Sequence, residues 1–352
     1  MPTTLRDVAQ RAGVSVRTVS NVVNDFPQVS DATRALVQKA IDELDYQPNL
    51  VARRLRTGRT GVLGLLVPKL SQPYFAELAD AMVTAAGRRG RTLVIDQTDG
   101  RRDSERSPFA QAAADQLWEG AVVSPLALTR EDLDPRRRAM PLVMLGEHAE
   151  ALDIAWVGCD NLAAAKSAVD HLISLGRKEI AVIGHQSGPG GETGQVRTKG
   201  YRAAMRSAGL PVRRGWIRTP TSFDRAGGAD AVRTLMTLSS RPDAIFCYND
   251  ELALGALFAL HQLGVRVPDD VAVMGWDDIV ESSFAVPTLT SVAVPKTAVA
   301  DAALDQLLHQ IEHGVTSREH VVIEHQIAVR ASTAGSTPDS HPLDAHGGTS
   351  GV

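Results

Sequence analysis

Apolar residues at the front of the chain repeat at helical spacing. Leu5, Val8, Ala9 and Ala12 share one face and Gly13 follows them, the usual left-handed stop, so a short helix is predicted to end there. Ser15 is placed to cap a second helix on which Val19, Val22 and Val23 face inward. Ser30 or Asp31 starts a third, turning Leu36, Val37, Ala40, Ile41 and Leu44 toward a core, and Tyr46-Gln47-Pro48 ends it. The first two helices, joined by a glycine-containing turn, make a helix-turn-helix within a head over residues 1–46. Residues 49–56 place Val51, Ala52 and Leu55 on one side of a further helix, too short to be stable alone and expected to order on binding.

Past Gly61 the period changes. Short apolar runs at Val62–Val67, Leu93–Asp96, Ala121–Ser124 and Leu142–Leu145 read as buried parallel strands, and a second series follows at Ile180–Ile183, Ala244–Cys247 and Val271–Gly275. Helical stretches separate them, which predicts an α/β body of two doubly wound subdomains with right-handed crossovers. Such sheets take ligands beyond the carboxyl ends of their strands. The residues there are Ser71, Gln72, Tyr74 and Phe75 after the first run, Asp96 and Gln97 after the second, Ser124, Glu147, then Asn249 and Asp250, and Asp277. Carboxylates and amides bind several hydroxyls at once, while an aromatic face covers the apolar side of a sugar or stacks on a base. Arg197, opening an Arg-x-x-Gly-Tyr stretch, suits a polyol or an acid. Aspartate and asparagine at strand ends also read as plain helix caps, Asp31 and Asp250 among them.

On the second helix the positions away from Val19, Val22 and Val23 are Val16, Arg17, Thr18, Ser20 and Asn21. Arg17 and Asn21 stand four residues apart on one face and suit base edges in a major groove, arginine toward guanine and asparagine toward adenine. Thr18 and Ser20 suit phosphate oxygens. An ordinary solvated helix shows the same outer pattern. Charge adds to the picture: through Thr60 there are nine Arg or Lys against six Asp or Glu, although the whole chain carries −4. The surplus gathers at Arg53, Arg54, Arg56 and Arg59, which points to a polyanion partner for the front alone, or else to a solvated linker. Leu55 flanked by these arginines has the make-up of a minor-groove wedge.

The 352 residues allow two or three domains, and 43% hydrophobic with 22% charged content excludes disordered and fibrous classes. Met1 to Arg11 lacks the apolar stretch of an export signal, no run is long enough to span a bilayer, and Cys159 and Cys247 show no paired spacing, so a reducing cytoplasm is expected. A dehydrogenase needs a GxGxxG turn, and Gly188-Pro189-Gly190-Gly191 reads as a flexible turn instead. Ser187 lacks a GxSxG elbow, HExxH is absent, and His320 with His325 is spaced for neither zinc nor a triad. No catalytic residue, metal or cofactor is therefore expected. A secreted sugar-binding receptor matches the body but not the helical head.

The string from Thr4 to Pro68, with Val-Ser-x-x-Thr-Val-Ser-x-Val-Val-Asn followed by Tyr-x-Pro-Asn-x-x-Ala-x-x-Leu, resembles the lactose-repressor (LacI/GalR) family of bacterial transcription regulators, and the similarity continues to about Thr333. The resemblance implies a head at 1–46, a hinge helix and linker at 47–60, and a periplasmic-binding-protein-like effector domain at 61–333. Its two lobes would comprise about 61–159 with 291–320, and 160–290 with 321–333, the chain crossing near Gly158-Cys159-Asp160 and again near Thr290 to Pro295. Val329 to Thr333 resembles a closing strand, and 334–352, rich in Gly, Ser, Thr, Pro and His, is expected to be disordered. Implied DNA contacts are Thr4, Leu5, Val16, Arg17, Thr18, Ser20, Asn21, Asn24, Ala52, Arg53, Leu55 and Arg56. Asn21 stands where many members carry arginine, which implies a different half-site. Implied effector contacts are Ser71, Tyr74, Phe75, Gln97, Ser124, Glu147, Arg197, Phe223, Asn249, Asp250 and Asp277. The expected partners are double-stranded pseudo-palindromic operator DNA, a small-molecule effector, with a sugar as the family default and a purine, nucleoside or protein corepressor as alternatives, and a second copy of the chain. Closure of the lobes on the effector would separate paired hinge helices and lower DNA affinity, a reciprocal coupling of two sites.

Overall fold

The computed structural model describes residues 3–23, 26–46, 60–106, 118–129, 131–132, 140–146, 154–188 and 190–334. The chain divides into two compact units, 1–61 and 62–352. In the first, α1 (Leu5–Ala12), α2 (Val16–Val23) and α3 (Asp31–Glu43) enclose fully buried Val8, Val19 and Val37. Their ends follow the local chemistry. The Thr4 hydroxyl and the Asp7 carboxylate close a capping box on α1, and Gly13 stops it at φ 65°. Ser15 Oγ accepts from Thr18 N at 3.0 Å, and Ser30, not Asp31, caps α3 by accepting from Thr33 N.

Two expectations for the head fail on angle. At about 100° per residue Leu36 falls well off the stripe of Val37, Ile41 and Leu44, and it is 49% exposed. Ser20, expected outside, flanks Val23 on the inner side and is buried.

The second unit runs β1 (Val62–Val67), α4 (Pro73–Arg88), β2 (Thr92–Gln97), β3 (Gly120–Val123), β4 (Leu142–Leu145), β5 (Trp156–Gly158), α5 (Asn161–Ser174), β6 (Ile180–Ile183), α6 (Glu192–Ser207), β7 (Ile217–Arg218), α7 (Arg225–Met236), β8 (Ala244–Cys247), α8 (Asp250–Gln262), β9 (Ala272–Trp276), β10 (Thr290–Ala293), α9 (Lys296–His313), β11 (His320–Val322), β12 (Gln326–Ala328) and α10 (Ala331–Ala334). The strands form two six-stranded sheets, ordered β11-β5-β4-β3-β1-β2 and β12-β10-β9-β8-β6-β7. Each starts from a central strand and winds both ways, the doubly wound arrangement. Pairing is parallel except between β10 and β12. Central strands are buried on both faces, as parallel sheets require, whereas β2, expected to be buried, is a half-exposed edge.

Strand alternation divides the second sheet's packing. Ile180, Val182, Ala244 and Phe246 face α5 and α6, while Ala181, Ile183, Ile245 and Cys247 face α7 and α8. In the first sheet, α4 and α9 supply Leu78, Met82, Ala303 and Leu307 against Leu63, Leu65 and Val122. Three parts of the expected lobe layout differ. β10 pairs with β9, so residues 290–293 join the second sheet and the chain crosses after them. The first sheet keeps β11 as far as Val322. The expected closing strand at 329–333 is instead the short helix α10, and the antiparallel strand is β12. Buried Ser332 and Thr333 explain the helix, because Ser332 Oγ donates to Val273 O at 2.6 Å and accepts from Thr290 N at 2.8 Å, contacts a sheet-edge residue would not reach.

Helices α7 and α8 approach so closely that glycine is obligatory: a Cβ on Gly255 would lie 1.9 Å from Arg225 O, and one on Gly228 would lie 2.1 Å from Leu252 O. Backbone atoms cannot step aside as a side-chain tip can. Gly255→Ala is therefore expected to destabilise the second unit by about 2–3 kcal/mol, the upper range for overpacking, measured as a lowered urea midpoint with unchanged slope.

Candidate functional site

In the head, the face of α2 opposite Val19 and Val22 carries Arg17, exposed, and Asn21, half-buried. Val16, at the start of the helix, is 42% exposed. Thr18 is half-buried, its hydroxyl 2.8 Å from Ser15 Oγ, so part of its hydrogen-bonding capacity serves the cap. Thr4 is exposed and committed to the capping box, and Leu5 packs on the head core. Among the predicted contacts, Asn24, Ala52, Arg53, Leu55 and Arg56 lie outside the described residues.

In the second unit the carboxyl ends of both sheets border one cavity of about 310 Å³. Gln72, Tyr74 and Phe75 reach it from the β1–α4 connection, where Pro73 starts the helix and Gln72 at the N-cap makes no side-chain cap bond. Ser124 follows β3, Gly146 follows β4, and Cys159 follows β5. From the second sheet come Gln186 after β6, Tyr248 and Asn249 after β8, and Trp276 and Asp277 at the end of β9. Phe223, just before α7, completes an aromatic and apolar wall.

Arg197 on α6 is the cavity's organising cation. Its Nε donates to Asn161 Oδ1 at 2.7 Å, another guanidinium nitrogen donates to Tyr248 O, and its Cζ lies 3.6 Å from the Trp276 ring centroid. Asn161 in turn donates to Cys159 O at 3.1 Å. Asn249 Oδ1 accepts from Leu252 N at 2.8 Å, so this residue both caps α8 and lines the cavity. Burial pushes the Asp277 carboxyl well above the usual carboxylate range, while neighbouring Arg197 pulls the other way. One cation, amides, hydroxyls, a carboxyl and several ring faces converging on a cavity of this size suit a small polar molecule with an apolar face.

Of the predicted effector residues, Tyr74, Phe75, Ser124, Arg197, Phe223, Asn249 and Asp277 line this cavity. Ser71 does not: it is exposed and borders an outer groove with Phe258 and Phe284. Gln97 also lies outside, because β2 is the far edge strand; its amide accepts from Leu70 N at 3.0 Å and donates to Asp99 at 2.8 Å. Glu147 lies outside the described residues. Asp250 is fully buried behind the cavity, where Oδ2 accepts from Ile279 N at 3.0 Å and Ser282 Oγ at 2.7 Å and Oδ1 accepts from Ser291 Oγ at 2.7 Å. It brackets α8 to β10 and to the loop after β9, and the cap expected of it is supplied by Asn249. Sequence reasoning missed Asn161, Cys159, Gln186, Tyr248 and Trp276 as cavity residues. The short apolar run Ala155–Val157 before Cys159-Asp160-Asn161 was the available signal for a strand end there.

Residues 4–49 match the lacI family of bacterial regulatory proteins and residues 169–333 match a periplasmic binding protein-like domain. The ribose operon repressor of Escherichia coli K12 is 35% identical over 336 residues, covering 94% of this chain and 99% of its own. The transcriptional repressor PurR of Vibrio campbellii is 32% identical over 330 residues, covering 93% of this chain and 97% of its own. The structure of the Lac repressor dimer bound to operator and the anti-inducer ONPF superposes with a TM-score of 0.84 at 25% identity, covering 95% of this chain and 99% of that one.

Burial raises the Asp250 carboxyl to about 6, against the hydrogen bonds from Ser282, Ser291 and Ile279 that favour its charged form. A folded-state value above the unfolded one near 3.9 means the folded protein holds the proton more tightly. Stability from this group is thus full below about pH 4 and is lost as pH rises through about 6, by roughly 2–3 kcal/mol. Asp250→Asn should abolish that decline; a stability gap between variant and wild type that is equal in urea titrations at about pH 4.5 and about pH 7.5 would refute it.

Proposed function

This chain belongs to the lacI family of bacterial regulatory proteins, and we propose that it is a repressor that grips a pseudo-palindromic operator as a homodimer and releases it when a sugar or sugar derivative occupies the cavity. The observation that carries the ligand half is the convergence of Arg197, Asn249, Asp277 and Ser124 on one cavity walled by Phe75, Phe223 and Trp276. Polar groups on one side and ring faces on the other match the two faces of a pyranose or furanose. Arg197 and Asp277 serve as bidentate and hydrogen-bonding anchors for neighbouring hydroxyls. A purine is the second reading, favoured by the same ring faces and by the PurR relatives.

In the head, α2 enters the major groove with Arg17 and Asn21 toward base edges and Val16 beside them. Thr4 and Thr18 serve the backbone, and Leu5 and the buried Ser20 support the head from within. Asn24, Ala52, Arg53, Leu55 and Arg56 complete the DNA-facing set, Leu55 and Ala52 as a minor-groove wedge between arginines.

The dimer uses the outer groove of about 1,100 Å³ between α4 and the α7, α8 and 280–285 region, where Phe258 is 55% and Phe284 79% exposed. Large rings left to water mark an interface rather than a free surface. Among the described residues no helix is long and apolar enough to cross a membrane, and the protein works beside DNA in the cytoplasm, without a catalytic step.

A thermal-shift screen against pentoses, hexoses, sugar phosphates and purines tests the ligand class. A true effector at about 100 times its Kd adds roughly 2.7 kcal/mol, and Arg197→Ala should abolish that shift while leaving operator binding in place. A hit that survives Arg197→Ala places the ligand elsewhere. For the head, Arg17→Ala should relax preference at one operator base pair by about 1–3 kcal/mol, and an unaltered selected motif would refute direct reading by this side chain.

A further inference from the structure

The loop that brings Asp277 into the cavity has an unusual backbone. Asp277 and Asp278 are consecutive, neither is glycine, and they adopt φ 108° and 49°, a region L side chains rarely occupy. Such a conformation persists only where its surroundings determine it. Both carbonyls of this pair accept hydrogen bonds from one group: Lys296 Nζ lies 2.7 Å from Asp277 O and 3.1 Å from Asp278 O.

Lys296 is the first residue of α9, where the helix dipole disfavours a cation. Its side chain is only 12% exposed, and its charge is met by Glu77 at 3.0 Å. The other Glu77 oxygen accepts from Val280 N at 2.8 Å, in the same loop. Glu77 stands in α4, about one turn after Tyr74, and the Tyr74 ring centroid lies 5.8 Å from the Lys296 ammonium. The anchors are firm, since α4 and α9 share the core of the first sheet through Leu78, Met82, Val299 and Ala300. What they hold belongs to the other sheet, because Asp277 to Val280 follow β9. A cation placed against a dipole, desolvated and shared between a carboxylate and two strained carbonyls, costs more than ordinary packing and implies a specific task.

We propose that Lys296 and Glu77 form a clasp by which the first lobe holds the ligand loop of the second, fixing the Asp277 carboxyl for the effector and tying any movement of that loop to α4. The proposal rests on the reading of the cavity as the effector site. Lys296 and Glu77 are positioning residues: they act on the ligand through Asp277 and the neighbouring Tyr74 ring, and on the second lobe through its backbone. A ligand that turns Asp277 must shift the carbonyls gripped by Lys296, and through Glu77 it loads the helix that borders the outer groove.

Amide hydrogen exchange of the full-length protein without ligand tests the clasp directly. Lys296→Met should speed exchange at 277–283 by about tenfold or more, including Val280, whose acceptor Glu77 is not itself altered. Glu77→Gln should do the same at Asp277 and Asp278, while amides of β3 and β8 stay as protected as in the wild type. Lys296→Arg, which keeps donors and charge, should restore most of the protection. Unchanged exchange at 277–283 in both Lys296→Met and Glu77→Gln overturns the clasp, and so does equal acceleration throughout the second unit. A second arm uses D-ribose and hypoxanthine as probes in operator titrations: where the wild type responds, Lys296→Met should still bind the probe but shrink the operator response by about fivefold or more, and an undiminished response overturns the link to α4. A wild type whose melting temperature answers to no pentose, hexose, sugar phosphate or purine refutes the site reading, and the exchange results then judge the clasp on their own.

Discussion

A guanidinium drawn partly out of water needs acceptors and a ring face, and the second unit is arranged around the one at Arg197. Its hydrogen bonds to Asn161 and to the Tyr248 carbonyl join the start of α5 to the end of β8, and its stacking on Trp276 adds the end of β9. Two strand ends and two helices, α5 and Arg197's own α6, are thereby aligned on one charge. The cavity's polar lining is a consequence of that alignment, since Asn249 and Asp277 are the next residues along the same strand ends. An uncharged residue at this position would leave Asn161 and Tyr248 O with buried, unmet hydrogen-bonding capacity.

Around this centre, rigid and adjustable parts are separated. Glycine contacts lock α7 against α8, and α5 and α6 cover the opposite face, so the second sheet is a stiff block. Asp250 bolts the base of the loop after β9 to that block through Ser282, Ser291 and Ile279. In the same loop, the carbonyls of Asp277 and Asp278 and the amide of Val280 are held from the first lobe by Lys296 and Glu77. The two sets of anchors interleave along the loop, Ile279 and Ser282 going to Asp250 and the 277 and 278 carbonyls and Val280 N to the first lobe, so both lobes grip the same few residues. On the cavity's other side, backbone meets backbone, where a Cβ on Gly190 would come within 3.0 Å of Leu126 O. Contact at both margins gives a ligand between the lobes a means of changing their relation.

Much of this was readable along the chain. Strand positions β1, β4, β6 and β8 coincide with the apolar runs, because a strand buried on both faces leaves an uninterrupted hydrophobic record. The head's inward residues Val8, Val19 and Val37 follow from period alone. Failures fell where period is silent. β7, β11 and β12 are two or three residues long, too short to leave a pattern, and β5 leaves only the brief apolar run Ala155–Val157. Ser20 sits at the border of a helical stripe, where a small angular difference reverses burial, and Leu36 falls beyond one. Residues 329–333 resemble a strand, yet 331–334 turn into helix, because Ser332 and Thr333 find buried partners distant in the chain.

For the site, the amino-acid order alone determined which residues follow strands, and hence that Tyr74, Phe75, Ser124, Asn249 and Asp277 belong to one end of the sheets, since chain direction in a parallel sheet sets which end each loop occupies. It likewise determined the helix-turn-helix head, whose periodicity and caps are local. Only the tertiary structure decided which strand ends are central and which peripheral. That ordering removed Gln97 with edge strand β2, placed Ser71 on the outer groove, and turned Asp250 inward as a bracket instead of a ligand contact. It also joined Lys296 and Glu77, more than two hundred residues apart in sequence, on one loop. Strand order, side-chain direction at a helix start and long-range ion pairing depend on which faces are buried against each other, and no local pattern records that.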